Sequence, residues 1–250
     1  MVIAIATQKG GTGKTTTSIS LAAGLARLKK NKVLLIDIDS QANSSKVLLP
    51  DYLKLPKDET IYTTLLGRNP LPVHPTSVPG LDVVPSHILL SNADVELTTA
   101  KDHREARLQT YLEEIKEQYD HIIIDCPPAL GWLTINAFTA ADQILVAVEP
   151  GYFEIDSIAQ LNRTLAEVRE FYRPELQLLG YLFTKSDPTI NSRTSLKILR
   201  QTYTDKVCRT VIPRNVDLKD ASFNKQDIFA YNPKSKGAQA YKRLIGELFP

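Results

Sequence analysis

Two lysines, three glycines and three threonines crowd into one short run near the start of this 250-residue chain, Gln8-Lys9-Gly10-Gly11-Thr12-Gly13-Lys14-Thr15-Thr16. The apolar run Val2 to Ala6 comes directly before it. That order reads as a strand, a glycine loop and the start of a helix, in which backbone N–H groups and a helix N-terminus converge on a polyphosphate. Lys14 would reach the β- and γ-phosphates, and the Thr15 hydroxyl would ligate Mg²⁺. Gly10, Gly11, Thr12, Gly13 and Thr16 complete the cradle. The usual Gly-x₄-Gly-Lys-Ser/Thr spacing fails at its first position, where Gln8 stands, and Lys9 adds a second cation at the start of the loop.

Carboxylates stand at the ends of two further apolar runs. Val33-Leu34-Leu35-Ile36-Asp37-Ile38-Asp39 puts two acids where a buried strand gives way to a loop, the position at which open α/β sheets bind ligands. A spacing of two places Asp37 and Asp39 on one strand face if the strand continues, whereas a loop frees their directions. Ile122-Ile123-Ile124-Asp125 repeats the pattern, with Asp125 positioned to hold a metal-bound water. The metal-site candidates are therefore Thr15, Asp39 and Asp125.

Short apolar runs alternate with helical patterns along the chain, which predicts an α/β fold with a mostly parallel β-sheet flanked by helices. The predicted strands are 2–6, 33–36, 81–84, 121–124, 143–148, 178–183 and 207–212. Their near-continuous apolar character suits strands covered on both faces. Leu108, Leu112 and Ile115 share a helical face, as do Ile158, Leu161, Leu165 and Val168. Residues 190–203 read as an amphipathic helix and 237–249 as a closing one. Prolines at 50, 56, 70, 72, 75, 79 and 85 mark a loop-rich excursion with a short helix around 62–66. It reads either as a partner surface or as a tolerated insertion at the sheet edge. One domain over residues 1–250 fits this length.

These three segments together resemble the deviant P-loop of the ParA/MinD family of ATPases, with the short Soj-like partition proteins most similar. The resemblance runs over nearly the whole chain and implies a P-loop NTPase that takes ATP and Mg²⁺. It implies that Asp39 positions the attacking water beside Asp37; Ser40 replaces the usual proline of the Asp-x-Asp-Pro-Gln motif. Pro127-Pro128-Ala129-Leu130-Gly131 matches the family's turn that senses the γ-phosphate. Lys9 would reach the partner's phosphates in an ATP-bound homodimer, so that Lys9, Lys14 and Asp39 are the catalytic set. Ile212-Pro213-Arg214-Asn215 looks like the family's adenine-contact segment, giving Pro213 and Asn215 as base-pocket candidates. Thr184-Lys185-Ser186-Asp187 superficially resembles a guanine motif, but adenine is the preferred base.

Net charge is +2 and unevenly spread. Residues 1–150 carry 14 Lys+Arg against 17 Asp+Glu, a net −3, and residues 151–250 carry 16 against 11, a net +5. That asymmetry suggests a basic face meeting a polyanion. Arg193, Lys197 and Arg200 form a stripe on the 190–203 helix, and Arg214 adds to them. The resemblance implies non-specific double-stranded DNA binding by the ATP dimer and a ParB-like or other cargo adaptor that stimulates slow hydrolysis. It also implies a cytoplasmic, nucleoid-associated location.

Other classes fit less well. No run of about 18 apolar residues and no basic leader is present, so neither a membrane span nor a signal peptide is expected. Base-reading machinery of the helix-turn-helix kind is not expected, so phosphate contact is the expected mode of DNA binding. Cys126 and Cys208 sit in apolar runs and read as reduced, buried thiols. They lack the placement of an iron-sulfur cluster site. Tyrosines are scattered rather than clustered in a kinase tail, and His74, His87, His103 and His121 show no metal spacing and read as surface or capping residues. The alternative is a MinD-like membrane-cycling ATPase using Tyr241, Leu244, Ile245, Leu248 and Phe249; core packing of that helix is the expectation, and it makes membrane binding a weak one. A metabolic P-loop enzyme remains the third class.

Overall fold

The computed structural model describes residues 1–100, 102–151 and 154–250, with 154–157 described by backbone alone. In chain order the elements are β1 (Val2–Ala6), α1 (Lys14–Lys29), β2 (Val33–Asp37), α2 (Asn43–Leu48), α3 (Ile61–Leu65), β3 (His74–Pro75), β4 (Leu81–Val84), α4 (Leu90–Thr99), α5 (Arg107–Glu113), β5 (His121–Asp125), α6 (Trp132–Ala140), β6 (Gln143–Val148), α7 (Glu154–Phe171), β7 (Gln177–Phe183), α8 (Ile190–Tyr203), α9 (Val216–Phe223), α10 (Ile228–Tyr231) and α11 (Lys236–Leu248). Seven strands form one sheet in the order β3-β4-β2-β5-β1-β6-β7. Among the described residues only the β3–β4 pair is antiparallel.

Side-chain alternation assigns each strand residue to one of two cores. Ala4, Ala6, Leu34, Ile36, Ile122, Ile124, Ile144 and Val146 face the layer made by α3 to α8. Ile3, Ile5, Val33, Leu35, Ile123 and Leu145 face α1, α2 and α11. The buried positions Ile158, Leu161, Leu165 and Val168 place α7 in the first layer, as their spacing predicts. Tyr241, Leu244, Ile245 and Phe249 are buried against the second. The closing helix therefore packs on the core through the residues that a membrane anchor would expose.

Two elements differ from expectation. The proline-rich excursion contains an edge strand, β3, too short and too proline-bound to announce itself as a strand in sequence. Residues 207–212 do not form a strand. They run beside β7 through two isolated bridges, Tyr181 with Val207 and Ser186 with Pro213. Between the bridges, the N–H groups of Arg209 and Thr210 donate instead to the Glu247 carboxylate, at 2.7 and 2.8 Å. The close approach is possible because residue 180 is glycine, where a Cβ would stand 2.8 Å from the Lys206 carbonyl oxygen. Ile115 falls just beyond α5, and His121 is a strand residue whose half-buried ring meets Phe249 edge-on at 4.9 Å, not a capping residue.

Candidate functional site

The glycine loop leaves the middle of the sheet, where β1 lies between β5 and β6. Gly11 and Gly13 have φ of 84° and 87°, a left-handed geometry that glycine adopts without the Cβ penalty. Gly13 is the N-cap of α1, and the first intrahelical bond runs from Thr17 N–H to the Gly13 carbonyl at 2.9 Å. The N–H groups of the helix's first turn therefore have no partner within the helix, and its positive dipole end faces the loop.

Beneath this loop sits a buried charge cluster. Lys14, 6 % exposed, extends its Nζ to within 3.2 Å of Asp125 Oδ1 and 3.5 Å of Asp39 Oδ2. Burial alone would lower the lysine pKa, but Asp125 and Asp39 outweigh it and hold the ammonium above its ordinary value. Register explains the convergence. Ile5 of β1 and Asp37 of β2 both pair with Asp125 of β5, so the three chains end at one level. Ser18 Oγ lies 3.1 Å from Asp125 Oδ1, and Ser44 donates to Asp125 Oδ2 at 2.7 Å.

The strand stops at Asp37, and the two acids part company. Asp37 turns inward, fully buried, and accepts from Asp39 N–H, Ser45 N–H and Ser45 Oγ at 3.2, 2.9 and 2.7 Å. Burial and the nearby Asp125 charge push its pKa up to about 7. Asp39 stands at the loop, with Gln41 N–H donating to its Oδ1 at 3.0 Å. Asp37 thus fixes the start of α2, while Asp39 is the carboxylate that reaches Lys14.

A second set braces the loop from β6 and β7. Thr184 Oγ1 lies 2.6 Å from the Thr12 carbonyl oxygen, and Lys185 Nζ donates to the Gly11 carbonyl. Glu149, at the end of β6, lies 3.3 Å from Lys9 Nζ and 3.6 Å from Lys185 Nζ. The Thr184–Asp187 run therefore supports the loop backbone. Asp187 itself accepts from Thr189 N–H and Oγ1, at 3.2 and 2.5 Å, in the turn that opens α8.

Pro213 pairs with Ser186 beside this brace. Asn215 uses both ends of its amide: Nδ2 donates to Asp217 Oδ2 at 2.9 Å, and Oδ1 accepts from Gly237 N–H at 3.2 Å. Arg193, Lys197, Arg200 and Arg214 are all exposed. On α8 the buried side is Ser192 and Leu199, so its basic stripe faces outward as its periodicity predicts. Ser18, Ser44, Ser45, Ser86, Glu149 and Thr184 are site residues that motif spacing does not reveal. Only Thr184 stood in a segment that the sequence singled out.

The residues suit a magnesium-bound nucleotide. Thr12 is buried, and its Oγ1 has no hydrogen-bond partner. It lies between Gly11 and Gly13, at the N-terminus of α1 and beside Lys14, a donor set for phosphate oxygens. Thr15 at the half-exposed mouth, Asp39 and Asp125 offer the hard oxygen ligands that Mg²⁺ takes.

Comparison with known proteins agrees with this arrangement. The AAA domain family model matches residues 1–178. The chain is 41 % identical to the sporulation initiation inhibitor protein Soj of Bacillus subtilis, covering 99 % of this chain and 97 % of that one. It is 38 % identical to the chromosome partitioning protein ParA of Myxococcus xanthus, over 99 % and 87 %. A crystal structure of cobyrinic acid a,c-diamide synthase from Mycobacterium smegmatis, with bound ADP and magnesium, superposes with a TM-score of 0.83 at 34 % identity, over 97 % and 91 % of the two chains. A seven-stranded sheet, a deviant glycine loop with its caged lysine, and this full-length similarity make the chain a member of the ParA/MinD family of P-loop ATPases.

Proposed function

We propose that this protein is a partition ATPase that takes ATP and Mg²⁺, forms a homodimer when ATP is bound, coats DNA without regard to sequence, and positions a cargo through an adaptor that stimulates hydrolysis. The observation that carries the reading is Lys14 buried between Asp39 and Asp125 under the first turn of α1. Full-length similarity to Soj and ParA supports its use in partition.

In this reading the loop N–H groups and Lys14 hold the β- and γ-phosphates, and Thr15, Asp39 and Asp125 hold the metal. When bound, Mg²⁺ neutralises phosphate charge and offers a Lewis-acid contact to the phosphoryl oxygens. Asp39 orients the attacking water and accepts its proton, with its Oδ1 already fixed by Gln41 N–H. Lys9, half-exposed at the loop's edge, supplies positive charge to the partner's phosphates. Pro213 and Asn215 border the adenine, the base contact coming from the backbone of their segment because the Asn215 amide is engaged.

Arg193, Lys197, Arg200 and Arg214 contact DNA phosphates, so dimerisation doubles the charge that meets the duplex. The test is DNA binding in ADP and in ATP at ~50 mM salt, where electrostatic binding is strongest. ATP-loaded protein is expected to bind unrelated duplexes alike, and Lys197→Glu or Arg200→Glu to weaken all of them while ATP affinity holds. Light scattering is expected to give a monomer in ADP and a dimer in ATP. An ATP-loaded protein that ignores DNA at that salt would end the partition reading.

A further inference from the structure

Ser86 lies just beyond β4, outside every motif that the sequence displays, and is fully buried. Its Oγ donates to the backbone carbonyl of Asp39 at 2.6 Å, and its N–H donates to Ser45 Oγ at 2.9 Å. Ser45 Oγ in turn donates to Asp37 Oδ2 at 2.7 Å. The residue thus joins two points of the same acidic loop, one at Asp39 itself and one at the support of Asp37. Asp39 has left the strand, so no sheet hydrogen bond fixes its carbonyl. It accepts two hydrogen bonds instead, one from Ala42 N–H at 2.8 Å within its own turn and one from the Ser86 hydroxyl, which alone of the two ties it to another segment.

We infer that Ser86 is a positioning residue for hydrolysis, setting the direction of the Asp39 carboxylate through its backbone. This rests on the assignment of Asp39 as the water-orienting acid. Loss of the Ser86 hydroxyl does not touch the loop N–H groups or Thr15, and Lys14 keeps Asp125, the nearer of its two carboxylates. It removes the bond that ties the Asp39 peptide to the end of β4 and leaves that peptide held only from within its own loop, by Ala42 N–H and by Asp37. A shift of about 1 Å in a reacting group can cost on the order of a hundredfold in rate.

The segment beyond Ser86 reaches the stretch of chain that follows the other acid. Ser86 leads into α4, whose Asp94 accepts from Leu133 N–H at 3.2 Å in the first turn of α6. That turn follows Asp125 and its Pro127–Gly131 run. Trp132 Nε1 adds a bond to Thr98 Oγ1 at 3.1 Å. One short stretch therefore braces the segments carrying both acids, with Ser86 at the Asp39 end and α4 at the Asp125 end.

The experiment measures ATP turnover without DNA or any partner, together with ATP affinity from a fluorescent nucleotide and the melting temperature. Ser86→Ala is expected to lower kcat roughly tenfold to a hundredfold while ATP affinity stays within about twofold, and Ser86→Thr, which keeps the hydroxyl, to recover most of the rate. Ser86→Cys keeps the volume but donates weakly, and is expected to match the alanine variant if that variant does not fold. The inference is overturned by a kcat within twofold of wild type in the alanine or cysteine variant. It is equally overturned if rate and ATP affinity fall together, or if a folded threonine variant is no faster than alanine. Failure of DNA binding would remove the partition reading and leave this result standing, whereas wild-type protein without any ATP turnover would remove both.

Discussion

Replacing Lys14 should destabilise the nucleotide-free protein, apart from any effect on ATP. Its ammonium lies 3.2 and 3.5 Å from two carboxylates whose side chains are 0 % and 9 % exposed. At an effective dielectric of about 20, each contact is worth roughly 5 kcal/mol of Coulomb energy, against a desolvation cost of several kcal/mol per ion. The net value of the intact cluster is therefore small, but its dismantling is not. Removing one partner from a buried ion pair typically costs about 3–5 kcal/mol, because the remaining charge is left uncompensated. In a chain of this size that corresponds to a fall in Tm of roughly 6–20 °C. Lys14→Met is the cleaner variant, since it keeps an apolar stem and deletes only the charge. Circular dichroism melts without nucleotide should show the fall at pH 8. Adding Asp125→Asn to Lys14→Met should recover part of the loss. A Lys14→Met protein melting within about 2 °C of wild type at pH 8 would refute the reasoning, since the predicted range begins well above that.

Two further outcomes are expected. Asp37 has its pKa raised to about 7 by burial and by Asp125. Its contribution is thus full below about pH 4, the unfolded value, and is lost as pH rises through 7; melting temperatures of the nucleotide-free protein should decline between pH 5 and 8, and Asp37→Asn should flatten that decline. Glu247→Ala strips the acceptor from Arg209 and Thr210 N–H; it should cost about 1–3 kcal/mol and speed hydrogen exchange across residues 207–212, measured by mass spectrometry.

Sequence legibility followed whether a residue's role is local. β1, β2, β5 and β6 are apolar runs doubly covered by helices, and such runs identify themselves. Lys14, Asp39 and Asp125 were legible because a glycine loop and an acid at a strand's end carry their meaning within a few residues. Residues 207–212 have the composition of a strand, yet a carboxylate some forty positions away takes their central N–H groups, and no local pattern contains that information. Ser44, Ser45 and Ser86 are ordinary serines in sequence. They gain a role only when the β4-β2-β5 order brings three chain ends together. The parting of Asp37 and Asp39 turns on where β2 ends, a boundary that spacing alone left open.

The two outer strands of the sheet bear on how copies of this chain can meet. At one margin β3 offers two residues, one of them Pro75, which has no N–H to donate. At the other, β7 is flanked by the segment through 207–213, in which Cys208 and Ile212 N–H donate to β7 carbonyls and Arg209 and Thr210 N–H to Glu247. Neither margin presents a long ladder for another chain to extend. Growth by strand addition, the route that needs no ligand and recognises little beyond backbone, is obstructed at both ends. Self-association is left to helix surfaces and to the loops at the strand tips, and the strand tips are where the glycine loop and its acids reside. Under the proposed reading the choice between single and paired molecules falls to a surface that a bound nucleotide can reshape, with growth by strand addition obstructed by the fold itself.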